Sequence, residues 1–146
     1  RLGRAPEAAL AEDYARRATA SGRVLGLGPI EIVEIDAKKP GKPAEAEALL
    51  SALASGDEVI ACDEHGDAFA SRGFAELIGR IRDSGVRRLV FLIGGPVGLG
   101  EAALARAGRK LAFGPQTWPH ALARAMLAEQ VYRAVTILGG GPYHRD

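Results

Sequence analysis

Cysteine is nearly absent: Cys62 is the only one in a chain of 146 residues. A lone thiol supplies neither a disulfide nor a Cys-rich zinc site, and its scarcity suits a reducing cytosol. The three histidines, His65, His120 and His144, show no metal-ligand spacing, so no metal is expected. No window reaches the roughly 18 to 20 consecutive apolar residues of a membrane span, and the N-terminus lacks the apolar core of a secretion signal. These absences argue against membrane and secreted classes and for a cytoplasmic protein. A large net charge is lacking too, with a formal balance of +1. The balance hides a gradient. Residues 1 to 103 hold 13 Lys/Arg and 16 Asp/Glu, net −3. The rest holds Arg106, Arg109, Lys110, Arg124, Arg133 and Arg145 against Glu129 and Asp146, net +4. A basic final third attracts phosphates, yet an excess of four is modest, so charge alone leaves nucleic-acid binding open.

The chain has 47% apolar and 25% charged residues in 15.3 kDa, the composition of one soluble domain over residues 1 to 146. Such a chain buries about two-thirds of its unfolded surface and needs no covalent staple. Apolar periodicity switches between helical and strand templates, which predicts an α/β fold with an open, mostly parallel sheet flanked by helices. A helix is expected from Pro6 to Ala20, with Leu10, Tyr14 and Ala18 at four-residue spacing and an end at Ser21 and Gly22. Ile30 to Ile35 alternates as a strand. A basic loop, Asp36 to Pro43, leads into a helix carrying Leu49, Leu50 and Leu53. Val59 to Cys62 reads as a buried strand ending in the polar loop Asp63 to Gly66, and Ser71 as the N-cap of a helix burying Phe74, Leu77, Ile78 and Ile81. Leu89 to Ile93, five apolar residues in a row, suits a central parallel strand. Helices from Glu101 to about Lys110 and from Pro119 to about Leu138 flank a short apolar piece at Leu111 to Phe113.

Between a strand and a helix lies Gly94-Gly95-Pro96-Val97-Gly98-Leu99-Gly100, where open α/β sheets place ligands. A phosphate-binding P-loop is excluded, because no Lys-Ser or Lys-Thr follows. Gly98, Gly100 and Ala103 satisfy a relaxed dinucleotide spacing, but no acidic residue lies between Glu101 and Glu129 to hold a ribose. The spacing is equally that of a tight turn needing positive φ.

The final third reads Thr117-Trp118-Pro119-His120, then Arg124, then Glu129-Gln130-Val131-Tyr132-Arg133-Ala134, and last Pro142-Tyr143-His144-Arg145. With Leu92-Ile93-Gly94-Gly95-Pro96 and Gly98-Leu99 before it, this pattern resembles the RlmH family, methyltransferases that modify N3 of a pseudouridine in 23S ribosomal RNA. The resemblance covers nearly the whole chain and is weaker at Ile32 to Ile35 and around Cys62. Two departures stand out. Relatives open with a strand of about eight residues before the counterpart of Arg1-Leu2-Gly3, which is expected to be missing here, and Cys62 stands where they commonly carry leucine. A free cysteine behaves as a small hydrophobe, so a wall is kept with looser packing.

The resemblance implies a SPOUT-type α/β knot at the C-terminus and S-adenosylmethionine as cofactor. It places the cofactor at Cys62, Gly94 and the segment Phe113, Gly114, Pro115, Gln116, Thr117 and Trp118. It implies catalytic roles for Arg133, Tyr143, His144 and Arg145, 23S rRNA within the ribosome as partner, and a homodimer. A long helix from Pro119 whose Leu122, Ala125, Met126, Val131 and Val135 spread beyond one face fits such a dimer. Plainer roles remain open: Phe113 and Trp118 as core, Arg133 as an i,i+4 partner of Glu129, His120 as a cap or an RNA contact, His65 as merely solvated. Two other classes compete: a noncatalytic RNA-binding or ribosome-binding module of the same fold, and a dinucleotide oxidoreductase weakened by the missing ribose acid.

Overall fold

The computed structural model describes residues 5–146, so the expected gap before Arg1, Leu2 and Gly3 lies outside the described residues. The chain forms helices α1 (Pro6–Gly22), α2 (Lys42–Ser51), α3 (Ser71–Asp83), α4 (Glu101–Arg106) and α5 (His120–Leu138), with strands β1 (Glu58–Ala68), β2 (Leu89–Leu92) and β3 (Arg109–Ala112). It divides into two compact units. One comprises residues up to Glu34, Phe69–Ser84 and Ala121–Asp146, and the other Ile35–Ala68 and Gly85–His120.

The second unit holds a parallel three-stranded sheet of order β2-β1-β3, with helices packed on it, as the alternating periodicity predicts. Its core joins Ala46 of α2, Val59 of β1, Leu92 of β2 and Ala103 of α4, with Leu49, Leu53, Val90 and Leu99 packed around them. Beneath it Asp57, on the turn before β1, accepts from the Ala54 amide at 2.8 Å and from the Arg88 guanidinium, tying the start of β2 to the start of β1.

Three expectations for this sheet are corrected. β1, not Leu89 to Ile93, is the central strand: Val59, Ile60 and Ala61 are buried while Leu89 to Phe91 are half-buried. A run of apolar residues reports that faces are covered and says nothing of how many neighbours a strand has. The polar stretch Asp63 to Gly66 does not end the strand. Cys62 and Asp67 both lie opposite Leu111, so the four residues between them bulge out of a continuing β1. Ile30 to Ile35 is no strand. The Ile30 amide donates to the Thr19 hydroxyl at 2.9 Å and Glu34 pairs with Arg124 at 2.9 Å, so side chains rather than a ladder hold the segment.

In the first unit, α1 buries Ala8, Ala11, Ala15 and Ala18 with Tyr14 half-buried beside them; of the expected Leu10, Tyr14 and Ala18 only Leu10 departs, at 49% exposed. Small residues let α1 approach α5, where Ala125 and Ala128 complete the cluster with Tyr14 and Ile32 beside it. α3 buries Phe74, Leu77 and Ile78 as expected. Its N-cap is Ala70; the Ser71 hydroxyl instead donates to Gln130 of α5 at 2.8 Å.

Candidate active site

Two groups of residues singled out by sequence occur, one within each unit. In the second unit, β2 runs into the glycine loop. A Cβ on Gly94 would lie 2.6 Å from the carbonyl carbon of Gly98 and from the Leu99 amide, so this loop, closed by the Gly98 amide on the Gly95 carbonyl at 2.9 Å, demands glycine there for its own turn. Gly98 has φ +80°, the conformation that the tight-turn reading requires. After β3 the backbone leaves regular structure. Phe113 and Gly114 are half-buried, and Pro115, Gln116, Thr117 and Trp118 are exposed. Two side-chain bonds give this segment a shape: the Trp118 indole donates to the Phe113 carbonyl at 3.1 Å, and the Thr117 hydroxyl donates to Glu64 at 2.7 Å. Gly114 has φ +89°, with open space where a Cβ would be. Cys62 sits in β1 before the bulge, and burial pushes its thiol up to about 12. It stays a neutral, small apolar wall.

In the first unit, Tyr143, His144 and Arg145 follow the last turn of α5. They have no helix or strand, yet they are anchored. Glu129 is the hub. Its Oε2 accepts from Arg133 Nε at 3.1 Å, from Arg133 Nη2 at 2.7 Å and from the Tyr143 hydroxyl at 2.7 Å, while Oε1 accepts from Gln130 at 2.8 Å. Burial opposes ionisation of Glu129, but bonds from Arg133 and Tyr143 outweigh it and hold the carboxyl below the usual carboxylate range. Burial, with contacts to Tyr14 and Glu129, pushes the Tyr143 phenol up, so it remains a protonated donor.

Arg133 Nη1 lies 3.1 Å from His144 Nδ1. A guanidinium only donates, so Nδ1 accepts and Nε2 carries the proton, which points at Asp146 Oδ1 3.0 Å away. Asp146 also accepts from Arg72 Nε at 2.8 Å, and the Arg72 and His144 bonds hold its carboxyl below the usual range. Between these two anchors Arg145 is exposed, and among the described residues it forms no ion pair.

Sequence reasoning anticipated the Glu129–Arg133 pair from its i,i+4 spacing. It missed Glu129 as acceptor for Tyr143, Arg72 and Asp146 as the outer anchor, and Glu64 as the buttress of Thr117, because all of these join residues distant in sequence. His120 opens α5 and is exposed, and His65 lies 3.6 Å from Glu64 with most of its side chain in solvent. Among the described residues no group of three His, Cys, Asp or Glu is placed to hold a metal, and no helix is long and apolar enough to cross a membrane.

The family model described as "Predicted SPOUT methyltransferase" matches residues 1–144. Curated relatives called "Ribosomal RNA large subunit methyltransferase H" match along the whole chain. The protein from Caulobacter sp. (strain K31) is 69% identical over 146 residues, that from Phenylobacterium zucineum 68% and that from Caulobacter vibrioides 64%. Each alignment takes in 100% of this chain and 94% of the relative. The chain belongs to the ribosomal RNA large subunit methyltransferase H family.

Proposed function

We propose that this protein is an S-adenosylmethionine-dependent methyltransferase acting on N3 of a pseudouridine in 23S rRNA of the large ribosomal subunit, as a cytoplasmic homodimer. The observation that carries the reading is 69% identity across the whole chain to a relative named for methylating large-subunit ribosomal RNA. The local geometry fits the cofactor. An irregular segment at 113–118 leaves backbone amides and carbonyls available to read an adenine edge, and Gly114 leaves room for close approach. Phe113 to Trp118 with Gly94 and Cys62 would hold S-adenosylmethionine, which supplies a methyl group on a positive sulfonium. Glu64, through Thr117, keeps the segment in shape.

The imide N3 of a uracil ring is a poor nucleophile until its proton is lost or its carbonyls are polarised, so the protein must supply orientation and positive charge. Arg145, exposed and without an ion pair among the described residues, is the guanidinium placed to meet a developing oxyanion on the base. Arg133 is engaged by Glu129 and His144, and its part is to hold the terminus in register. His144, with its proton on Nε2, orients Asp146, and Tyr143 donates to Glu129. The dimer has support in two exposed apolar residues of the first unit, Leu10 on α1 at 49% and Leu122 on α5 at 41%.

The test uses ribosomes lacking the modification. Incubation with S-adenosylmethionine carrying a labelled methyl, followed by mapping of the product, is expected to place one methyl on N3 of a large-subunit pseudouridine. Titration calorimetry is expected to show saturable heat with S-adenosylmethionine. No saturable heat and no transfer would identify a noncatalytic binding module, and a methyl at another atom would overturn the substrate. Light scattering showing a monomer at micromolar concentration would overturn the dimer.

A further inference from the structure

We propose that Arg17 of α1 is a positioning residue that sets the register of the C-terminal segment 143–146, an inference that rests on the function proposed above. Its guanidinium carbon lies 4.5 Å from the Tyr132 ring centroid, 5.1 Å from Tyr14 and 5.9 Å from Tyr143. The rings also meet one another: Tyr132 and Tyr143 are edge to face at 4.7 Å, and Tyr14 and Tyr132 are tilted at 5.9 Å. Arg133 places a second guanidinium 4.7 Å from the Tyr143 ring. Three tyrosines from α1, α5 and the terminus therefore share two cations, and each cation–ring contact is attractive because the ring face is negative.

The consequence is geometric. Residues 143–146 have no ladder or helix to fix them, so their position is set by side chains alone. Arg72 holds the outer end through Asp146, and Glu129 holds the inner end by one hydroxyl. Interactions at the hydroxyl fix only the far end of the Tyr143 side chain and leave the ring free to turn about it; the contacts with Tyr132, Arg133 and Arg17 stop that turn. Arg17 is 43% exposed and its ion pair with Asp13, at 3.6 Å, is loose, so the rings account for its placement better than the carboxylate does. Arg17 thus acts through Tyr132 and Tyr143 on where Arg145 points.

Arg17→Met keeps the aliphatic stem and removes the cation. The expected result with unmodified ribosomes is a fall of about tenfold in kcat, or about 1.4 kcal/mol, with KM for ribosomes and calorimetric affinity for S-adenosylmethionine unchanged. Arg17→Lys, which keeps a cation over the rings, restores most of the loss. Hydrogen exchange in the peptide covering 139–146 quickens in Arg17→Met and not in Arg17→Lys. A raised KM with unchanged kcat would show a direct RNA contact and overturn the proposal, as would unchanged exchange at the terminus. Should Arg17→Met fold poorly, Arg17→Gln, which also removes the cation and keeps a polar end, is expected to give the same kcat loss and faster exchange; wild-type values for it would overturn the proposal. A wild-type protein that transfers no methyl would instead sink the proposed function, while the exchange experiment still reports on Arg17.

Discussion

Replacing Glu129 by glutamine tests whether the terminus is held by a charged hub. The substitution conserves size and removes one negative charge that accepts two bonds from Arg133 and one from Tyr143. It also sets an amide where Oε1 or Oε2 accepted, beside the Gln130 donor or the Arg133 fork. Charge-assisted hydrogen bonds contribute about 1.5–3 kcal/mol each and neutral ones about 1. The side chains of Glu129 and Arg133 are only 20% and 23% exposed, so solvent screens them weakly. Weakening both partnerships without abolishing them costs about 2–3 kcal/mol, which at this chain length lowers Tm by about 4–10 °C. A pH series makes the test sharper. A carboxyl whose folded pKa is depressed contributes stability that is fully present above the unfolded value of about 4.3 and disappears as pH falls through the lower folded value. The gap in Tm between wild type and Glu129→Gln is therefore expected to be widest near neutral pH and to close as pH drops below about 4. Calorimetric scans at several pH values measure it. A variant melting within a degree of wild type at pH 7, or a gap that does not shrink in acid, would refute the hub.

For Arg145, exposed and without an ion pair among the described residues, Arg145→Ala is expected to leave Tm within about a degree and to lower methyl transfer by about 10²-fold or more, with Arg145→Lys in between because it keeps charge and loses the planar fork; equal rates for all three would remove Arg145 from the reaction. Deleting residues 143–146 is expected to abolish transfer and also to lower Tm by several degrees, because Tyr143 and Asp146 bind Glu129 and Arg72; an unchanged Tm in circular dichroism melts would contradict that anchoring. Gly94→Val is expected to lose S-adenosylmethionine binding together with stability, since its side chain meets the backbone of Gly98 and Leu99 before any ligand; normal binding at normal Tm would show that the loop rearranges freely.

Local pattern was enough for the α/β class, for α3, for the start of β1, and for the Glu129–Arg133 pair, because periodicity and i,i+4 spacing are properties of neighbouring residues. The family motifs added the identity of the terminus and of the 113–118 segment. What pattern could not supply was partnership across distance. The alternation at Ile30 to Ile35 is real, but the segment is held by the Thr19 hydroxyl at the Ile30 amide and by Arg124 at the Glu34 carboxylate rather than by a ladder. Leu10 looked like core and is exposed, because the close fit of α1 on α5 selects small alanines. Tyr143-His144-Arg145 lies beyond the last predicted helix; Glu129, Arg133, Arg17 and Arg72 hold it, from positions up to 126 residues away in the sequence. A hydrogen bond or ring contact depends on where two side chains meet in space, and for residues so far apart that meeting place is set by how the helices pack.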